Sequence, residues 1–298
     1  MSKMLKKIAE PSFTVIGYVI LFTLFAYVLT PLAWLFVTAF SATGSPYLEI
    51  PKEVTLDNFI RIFTEQHTKG IAGYAAHPIY MSRWIANSLF IGFATMIITI
   101  VLSAPAGYAL SRLDFRGKDL LMTAILLIGF MPMTAKMLPL YRLGKLLGLI
   151  DNLLGTAIVI ASGTIPTQIW IIKGFFDHIP REIEEQAWIC GCGHLMTLFK
   201  VVLPAAGPGL AIVAFLSFLS GWGNFIVPLI MIYSEDLYPI SLGLASIFVH
   251  NPGEIGLAID YGSACALSVI YTIPPICIYC LLYTSDAADE GLGVDLGG

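Results

Sequence analysis

A charged, amphipathic stretch between two long apolar runs carries the residues whose types and spacing best suit a specific interaction. It runs over residues 179–210 and reads IPREIEEQAWICGCGHLMTLFKVVLPAAGPGL. Pro180 suits the first turn of a helix, where a missing N–H leaves no intrahelical hydrogen bond unmade, and Glu182, Glu184 and Glu185 place negative charge at that helix's positive end. We therefore predict a short helix that begins here.

A glycine divides this stretch in two. Gly191 tolerates positive φ and can end the first helix. Leu195, Leu198, Phe199 and Val202 then recur at the i, i+3, i+4, i+7 spacing of an amphipathic helix. The pattern predicts a helix, a tight turn and a second helix, over residues 179–204, which we call the knob. An amphipathic hairpin lying at the membrane interface is the alternative interpretation.

The composition indicates the kind of elements that must hold this knob. Of 298 residues, 57% are hydrophobic and only 12% are charged, and the mean hydropathy is +0.82, which is typical of a membrane protein. Six stretches lack Asp, Glu, Lys and Arg, and as helices they can cross about 30 Å of hydrocarbon: residues 11–48, 84–111, 120–135, 152–172, 201–234 and 261–285. We predict an all-α polytopic membrane protein with six transmembrane helices and a cytoplasmic helix-turn-helix between spans four and five.

Two details of these spans follow from single residues. The third span, about residues 120–137, needs Lys118 and Lys136 to extend their charged ends to the interface, and Pro132 should kink it. Lys3, Lys6 and Lys7 precede the first span, so the N-terminus is expected in the cytoplasm. Basic residues put the turn after span two on the same side: Arg112, Arg116 and Lys118.

The chain is expected to form one membrane domain, residues 1–279. Residues 280–298 begin CLLYTSDAADE, which resembles the conceptual translation of a sequencing adapter. We therefore expect 280–298 to be a non-native tail, with a genuine acidic tail as the alternative.

The charged stretch resembles the "EAA" coupling loop of the membrane subunits of binding-protein-dependent ABC importers. The matching residues are Glu185, Gln186 and Ala187, then Gly191, then the Val201 to Pro204 segment. Gln186 stands where the family has alanine, and Val201 where it has isoleucine. The preceding I-P-x-E-x-E resembles the carbohydrate, maltose-type branch. Two further segments resemble motifs of this family. Residues 106–112 match A-x-Y-A-L-S-R. Residues 222–228 resemble W-N-x-F-x-x-P, with the asparagine, Asn224, displaced by one position.

The resemblance implies a permease in the cell inner membrane, in contact with lipid. Its partners would be a second homologous permease, two ATP-binding subunits and an extracytoplasmic sugar-binding protein, without nucleic acid. It implies coupling to the ATPase through the following loop residues: Glu184, Glu185, Ala187, Gly191, Leu203 and Pro204. Three residues are candidates for the translocation path: Asn87, Trp222 and Asn224. For Asn224 and Trp222, packing between helices is the alternative role.

Several functions lack their sequence signatures. No G-x-x-x-x-G-K-[ST] motif is present, so we expect ATP to be hydrolysed by another subunit, and we predict no catalytic residue and no cofactor in this chain. Cys277 and Cys280 have the spacing of a redox or metal pair, but they lie in a predicted span without a second pair, and no metal site is predicted. The alternatives are a permease for another small solute, a stand-alone secondary transporter, and an intramembrane enzyme. A secondary transporter should carry ionisable residues within its spans, and an enzyme paired carboxylates or a His cluster at membrane depth.

Overall fold

The computed structural model describes residues 2–64, 81–249 and 261–293. Within these ranges the secondary structure is helical, apart from an isolated antiparallel bridge between Ser41 and Val54. The chain divides into two compact units, one of residues 1–79 and 250–271, the other of residues 80–249 and 272–298.

In the first unit, a buried asparagine closes the end of the first helix. Helix α1 spans Ser2–Ala39 and α2 spans Asp57–Phe63. The side-chain amide of Asn58 donates hydrogen bonds of 2.9 Å to the carbonyl oxygens of Ala39 and Ser41. The last carbonyls of a helix have no partner within it, so Asn58 supplies one of the missing donors.

The second unit contains the segments that lead into and out of the charged stretch. Its principal helices are α3 (Met81–Arg112), α4 (Lys118–Phe130), α5 (Met133–Leu146), α6 (Leu153–His178), α7 (Arg181–Ile189), α8 (His194–Thr197), α9 (Leu203–Ala205), α10 (Gly207–Trp222), α11 (Ile226–Met231) and α12 (Ile240–Val249). A π-helical turn, Leu198–Val202, joins α8 to α9, and a 3₁₀ turn, Glu235–Leu237, precedes α12. Helix α13, Tyr261–Gly293, begins in the first unit and ends in the second.

The core of the second unit lies where α3 packs against α6 and α10. Small residues allow the backbones to approach closely, as is common between membrane helices. A Cβ atom added at Gly221 of α10 would lie 2.9 Å from both the Cα of Gly92 and the carbonyl oxygen of Ile91 on α3. This close packing connects α3 firmly to the helices around it.

The number of helices suited to crossing a membrane lies between four and six. Among the described residues, four single helical stretches are long and apolar enough: Thr14–Ala39, Ser82–Arg112, Leu153–His178 and Tyr261–Leu281. Two further candidates are bent pairs, Lys118–Phe130 with Thr134–Leu146 and His194–Ala205 with Gly207–Trp222. The fold is therefore that of an all-helical, multi-pass membrane protein.

The third predicted span differs from the expected kinked helix. Helix α4 ends at Phe130, Met131 is extended with ψ 127°, and α5 begins after Pro132. Proline disfavours the helical conformation in the residue before it and cannot donate the next helical hydrogen bond, so it favours a break here. Pro166, by contrast, lies within α6 without ending it.

Candidate functional site

The charged stretch forms a short helix that a glycine terminates. Pro180 precedes α7 as its N-cap residue, one position before the expected first turn, and Gly191 has φ +86°. The N–H of Gly191 donates to the carbonyl of Trp188 at 2.9 Å, and that of Cys192 donates to Ala187 at 3.0 Å. These two bonds form a Schellman motif, in which a left-handed residue satisfies the last carbonyls of a helix.

The second half of the stretch is less regular than the sequence pattern predicts. Leu198 and Val202 are buried in a cluster with Ile172 and Phe176. Leu195 and Phe199 belong to the same predicted apolar face but are mostly exposed. The π turn over Leu198–Val202 changes the helical phase, so the predicted face is divided between core and surface. Leu203 is half-buried and Pro204 is exposed at the start of α9.

The two acids predicted to meet a partner protein lie in different environments. Glu185 is exposed, whereas Glu184 is buried and faces α3. The Glu184 carboxylate accepts the Tyr108 hydroxyl at 2.8 Å and pairs with Nε of Arg112. A buried carboxylate needs such partners because its desolvation is otherwise unfavourable. Glu184 therefore contacts α3 of its own chain, and its predicted part in coupling to the ATPase stays a prediction.

Two more contacts join the end of α3 to the start of this loop and to the end of α6. Nη2 of Arg112 donates to the carbonyl of Ile179 at 2.9 Å. Asp177 accepts the Ser111 hydroxyl at 2.6 Å on one oxygen and pairs with Lys173 at 2.6 Å on the other. Arg112 was expected to mark the cytoplasmic side of the membrane, and its contact with Glu184 was not predicted. The clue to its contact was the Y-A-L-S-R phrase, whose Tyr, Ser and Arg all join this network.

The three candidate path residues make contacts within the fold. The amide of Asn87 donates to the carbonyls of Asp236 and Tyr238 at 2.8 and 3.1 Å. Trp222 is buried and stacks on Phe218, while the side-chain oxygen of Asn224 accepts the N–H of Val227 at 3.0 Å. Both asparagines thus satisfy backbone groups at the ends of helical segments.

An open cavity of about 500 Å³ lies between α5 and α11. Its lining is largely apolar and includes Tyr141 and Tyr233, whose hydroxyls are 3.0 Å apart. None of the three candidate path residues lines it. Among the described residues, no three His, Cys, Asp or Glu side chains are grouped to hold a metal ion.

Comparison with known proteins identifies the class of protein that this arrangement of helices defines. Residues 11–286 match the family described as the binding-protein-dependent transport system inner membrane component. The chain belongs to this family. It is a multi-pass membrane component of a transport system rather than an enzyme, and the sequence-based identification as a permease of the carbohydrate ABC importers is confirmed.

Individual relatives agree with the family. The maltodextrin transport system permease protein MdxG of Bacillus subtilis (strain 168) is 32% identical over 75% of this chain and 74% of its own length. A bacterial ABC transporter involved in the import of the acidic polysaccharide alginate has a chain with a TM-score of 0.75 and 21% identity, covering 93% of this chain and 97% of that one. A bacterial alginate ABC transporter, solved in complex with a periplasmic protein that holds an alginate pentasaccharide, has a TM-score of 0.63 and 13% identity over 94% of both chains. These structural likenesses show the shared fold.

Proposed function

We propose that this chain is the membrane-spanning permease subunit of an ATP-driven sugar importer and translocates a carbohydrate delivered by an extracytoplasmic binding protein. The observation that carries the proposal is the knob of residues 179–204, a short helix closed by Gly191 with Glu185 on its surface. Family membership and the maltodextrin permease relative support the same function.

The knob would couple transport to ATP hydrolysis by seating in a cleft on an ATPase subunit. Glu185 would supply an exposed charge for docking. Ala187, which accepts the Cys192 N–H, and Gly191, which donates to Trp188, would end the helix. Leu203 and Pro204 would lead the chain back into the apolar segments. When two ATPases close on ATP, movement of the docked knobs would switch the permeases from inward-facing to outward-facing.

The proposed topology has six spans, with the N-terminus and the knob in the cytoplasm. It counts each bent helix pair as one span and adds the four single helical stretches. Arg116, between α3 and α4, and Lys118, the first residue of α4, favour the cytoplasmic side for that turn. Residues 1–279 would form the permease domain, and residues 280–298 a non-native tail.

The complete assembly would contain a second, homologous permease, two ATP-binding subunits and the solute-binding protein. Large apolar side chains on the surface of α1 and α4 favour contact with lipid or with another membrane subunit, as Phe22 and Leu120 illustrate with 71% and 77% of their surface exposed. The alginate transporter solved with its periplasmic protein supports an assembly of this kind.

Purification of the transporter with its binding protein, followed by identification of the bound ligand and uptake in proteoliposomes, tests the substrate class. We expect an oligosaccharide on the binding protein and uptake of that sugar only when ATP is present on the ATPase side. A bound amino acid, peptide or ion would instead support a permease for another solute. Uptake by this chain alone, driven by an ion gradient, would support a secondary transporter.

Charge reversal at Glu185 tests the docking role of the knob. Glu185→Lys should weaken association with the ATPase subunit. Glu182→Lys makes the same charge change at another exposed position of α7 and serves as the matched control. Both residues lie outside the apolar spans, so membrane insertion should persist in each variant. Equal association of the two variants with the ATPase would contradict docking through Glu185.

A further inference from the structure

We infer that Glu184 and Arg112 are positioning residues that transmit movement of the knob to α3, through an ion pair within this chain. The inference rests on the proposed docking of the knob to an ATPase. It gives the two neighbouring acids separate tasks, Glu185 facing the partner and Glu184 facing the permease itself.

The first support comes from how α7 is attached to the rest of the second unit. Among the nine residues of α7, all of which the structure describes, only Glu184 is buried. The large apolar side chains of Ile183, Trp188 and Ile189 are 40%, 40% and 86% exposed. The buried side chain of α7 is therefore a carboxylate, whereas an amphipathic helix ordinarily packs against its neighbours through an apolar face.

The second support is the geometry of the guanidinium. Arg112 pairs with Glu184 through Nε and donates through Nη2 to the carbonyl of Ile179. One side chain therefore contacts both the first turn of α7 and the segment that leads into it. Tyr108, one turn earlier on α3, donates to the second carboxylate oxygen of Glu184. Three directional bonds thus restrict the orientation of α7 relative to α3.

The third support is the difference between directional and non-directional contacts. Apolar burial favours contact without specifying orientation, whereas a planar guanidinium binds oxygen acceptors in a defined geometry. Arg112 is also the last residue of α3, which packs along its length against α6 and α10. A displacement of α7 would therefore act directly on the end of a core helix.

The test uses reconstituted transporters that carry Glu184→Gln or Arg112→Lys, with Glu182→Gln as the matched control. Glutamine keeps the shape of Glu184 without its charge, and lysine keeps the charge of Arg112 without the two-pronged contact. Two quantities are measured: association with the ATPase, and the ratio of hydrolysis stimulated by sugar-loaded binding protein to basal hydrolysis.

We expect Glu184→Gln to retain the ATPase while the stimulation ratio falls by at least about fivefold, the lower end of typical coupling between sites. Arg112→Lys should give an intermediate ratio, and Glu182→Gln the wild-type ratio. Wild-type stimulation in both Glu184→Gln and Arg112→Lys would overturn the inference. Equal loss of association and stimulation in both variants would show a merely structural contact and would also overturn it.

The same preparations separate this inference from the proposed function. If Glu185→Lys still binds the ATPase as Glu182→Lys does, the docking proposal fails. If Glu185→Lys releases the ATPase but the Glu184 and Arg112 variants keep full stimulation, docking stands and only the inferred transmission is wrong. Should Glu184→Gln fail to insert, Arg112→Lys, which retains both charges, decides the outcome.

Discussion

At the scale of single residues, the conformation of Gly191 provides a sharp test of the knob. Its φ of +86° is in the left-handed region, and an added Cβ would meet no atom within 4 Å. Gly191→Val should therefore introduce about 1–2 kcal/mol of backbone strain without a steric clash. We expect weaker association with the ATPase in a pull-down from detergent.

Gly193 offers the matched control for this substitution. It too has open space around it, but its φ is −76° and its ψ is 165°, an extended conformation that valine adopts readily. Gly193→Val should bind the ATPase as the wild type does. Similar binding by both valine variants would show that the turn conformation at Gly191 is unimportant for docking.

Asp151 forms another local contact whose strength depends on pH. Its carboxylate accepts the N–H groups of Tyr233 and Ser234 at 3.0 and 2.9 Å and the Ser234 hydroxyl at 2.5 Å. These bonds, led by the Ser234 hydroxyl, hold the pKa of Asp151 below its ordinary value of 3.8. The resulting stability is present above about pH 4 and is lost as the pH falls through the lowered pKa.

Substitution of Asp151 should show this contribution directly. Asp151 has φ +53°, so Asp151→Ala would remove the acceptors and also strain the backbone, lowering the free energy of unfolding by about 1–2 kcal/mol once exposure is allowed for. Asp151→Asn tolerates positive φ, keeps one oxygen acceptor and should be affected less. Thermal unfolding at pH 7 distinguishes them, and equal midpoints for the two variants would contradict the assigned contacts.

The sequence allowed the conformation of some residues of the knob to be predicted, but not the contacts of others. Gly191 was predictable because a helix end with positive φ has a local signature. The inward orientation of Glu184 was not predictable, because its partner Arg112 lies 72 positions earlier in the chain. The hydrogen bonds of Asn87 with residues around 236–238 were hidden for the same reason.

At the scale of helices, the contact between α3 and α10 depends on the absence of a side chain at Gly221. An added Cβ would come within 2.9 Å of α3 backbone atoms, which cannot move aside without separating the helices. Gly221→Ala should therefore destabilise the protein by about 1–3 kcal/mol, measured by thermal unfolding in detergent.

Thr95 provides a contrasting substitution at the same contact. Its buried hydroxyl has no hydrogen-bond partner among the described residues, so replacing it with the similarly shaped valine removes an unsatisfied polar group. Thr95→Val should be neutral or slightly stabilising. A larger loss of stability in Thr95→Val than in Gly221→Ala would contradict the packing described for α3 and α10.

Helix prediction succeeded for a long apolar segment and failed at a proline. The apolar stretch 84–111 corresponds closely to α3, because length and composition define such a span. The chain near Pro132 was expected to bend within one helix, yet it forms two helices joined through an extended Met131. Pro166 has the same chemistry and leaves α6 intact, so the proline alone does not decide between kink and break.

At the scale of the whole molecule, coupling depends on which protein the knob contacts in the assembled transporter. Ile189 lies near the tip of the knob and is 86% exposed. Leu146, 83% exposed, lies at the end of α5, on the opposite side of the membrane in the proposed topology. The two positions have similar apolar side chains and exposure, so they form a matched pair.

Site-specific photo-crosslinking from these two positions in intact membranes tests whether the knob docks on an ATP-binding subunit. A photoreactive residue at Ile189 should form a covalent adduct with an ATP-binding subunit, and the same residue at Leu146 should form none. Docking of the knob on the ATPase would be contradicted if a transporter that remains active gave no ATPase adduct from position 189, or gave the same adduct in equal yield from position 146.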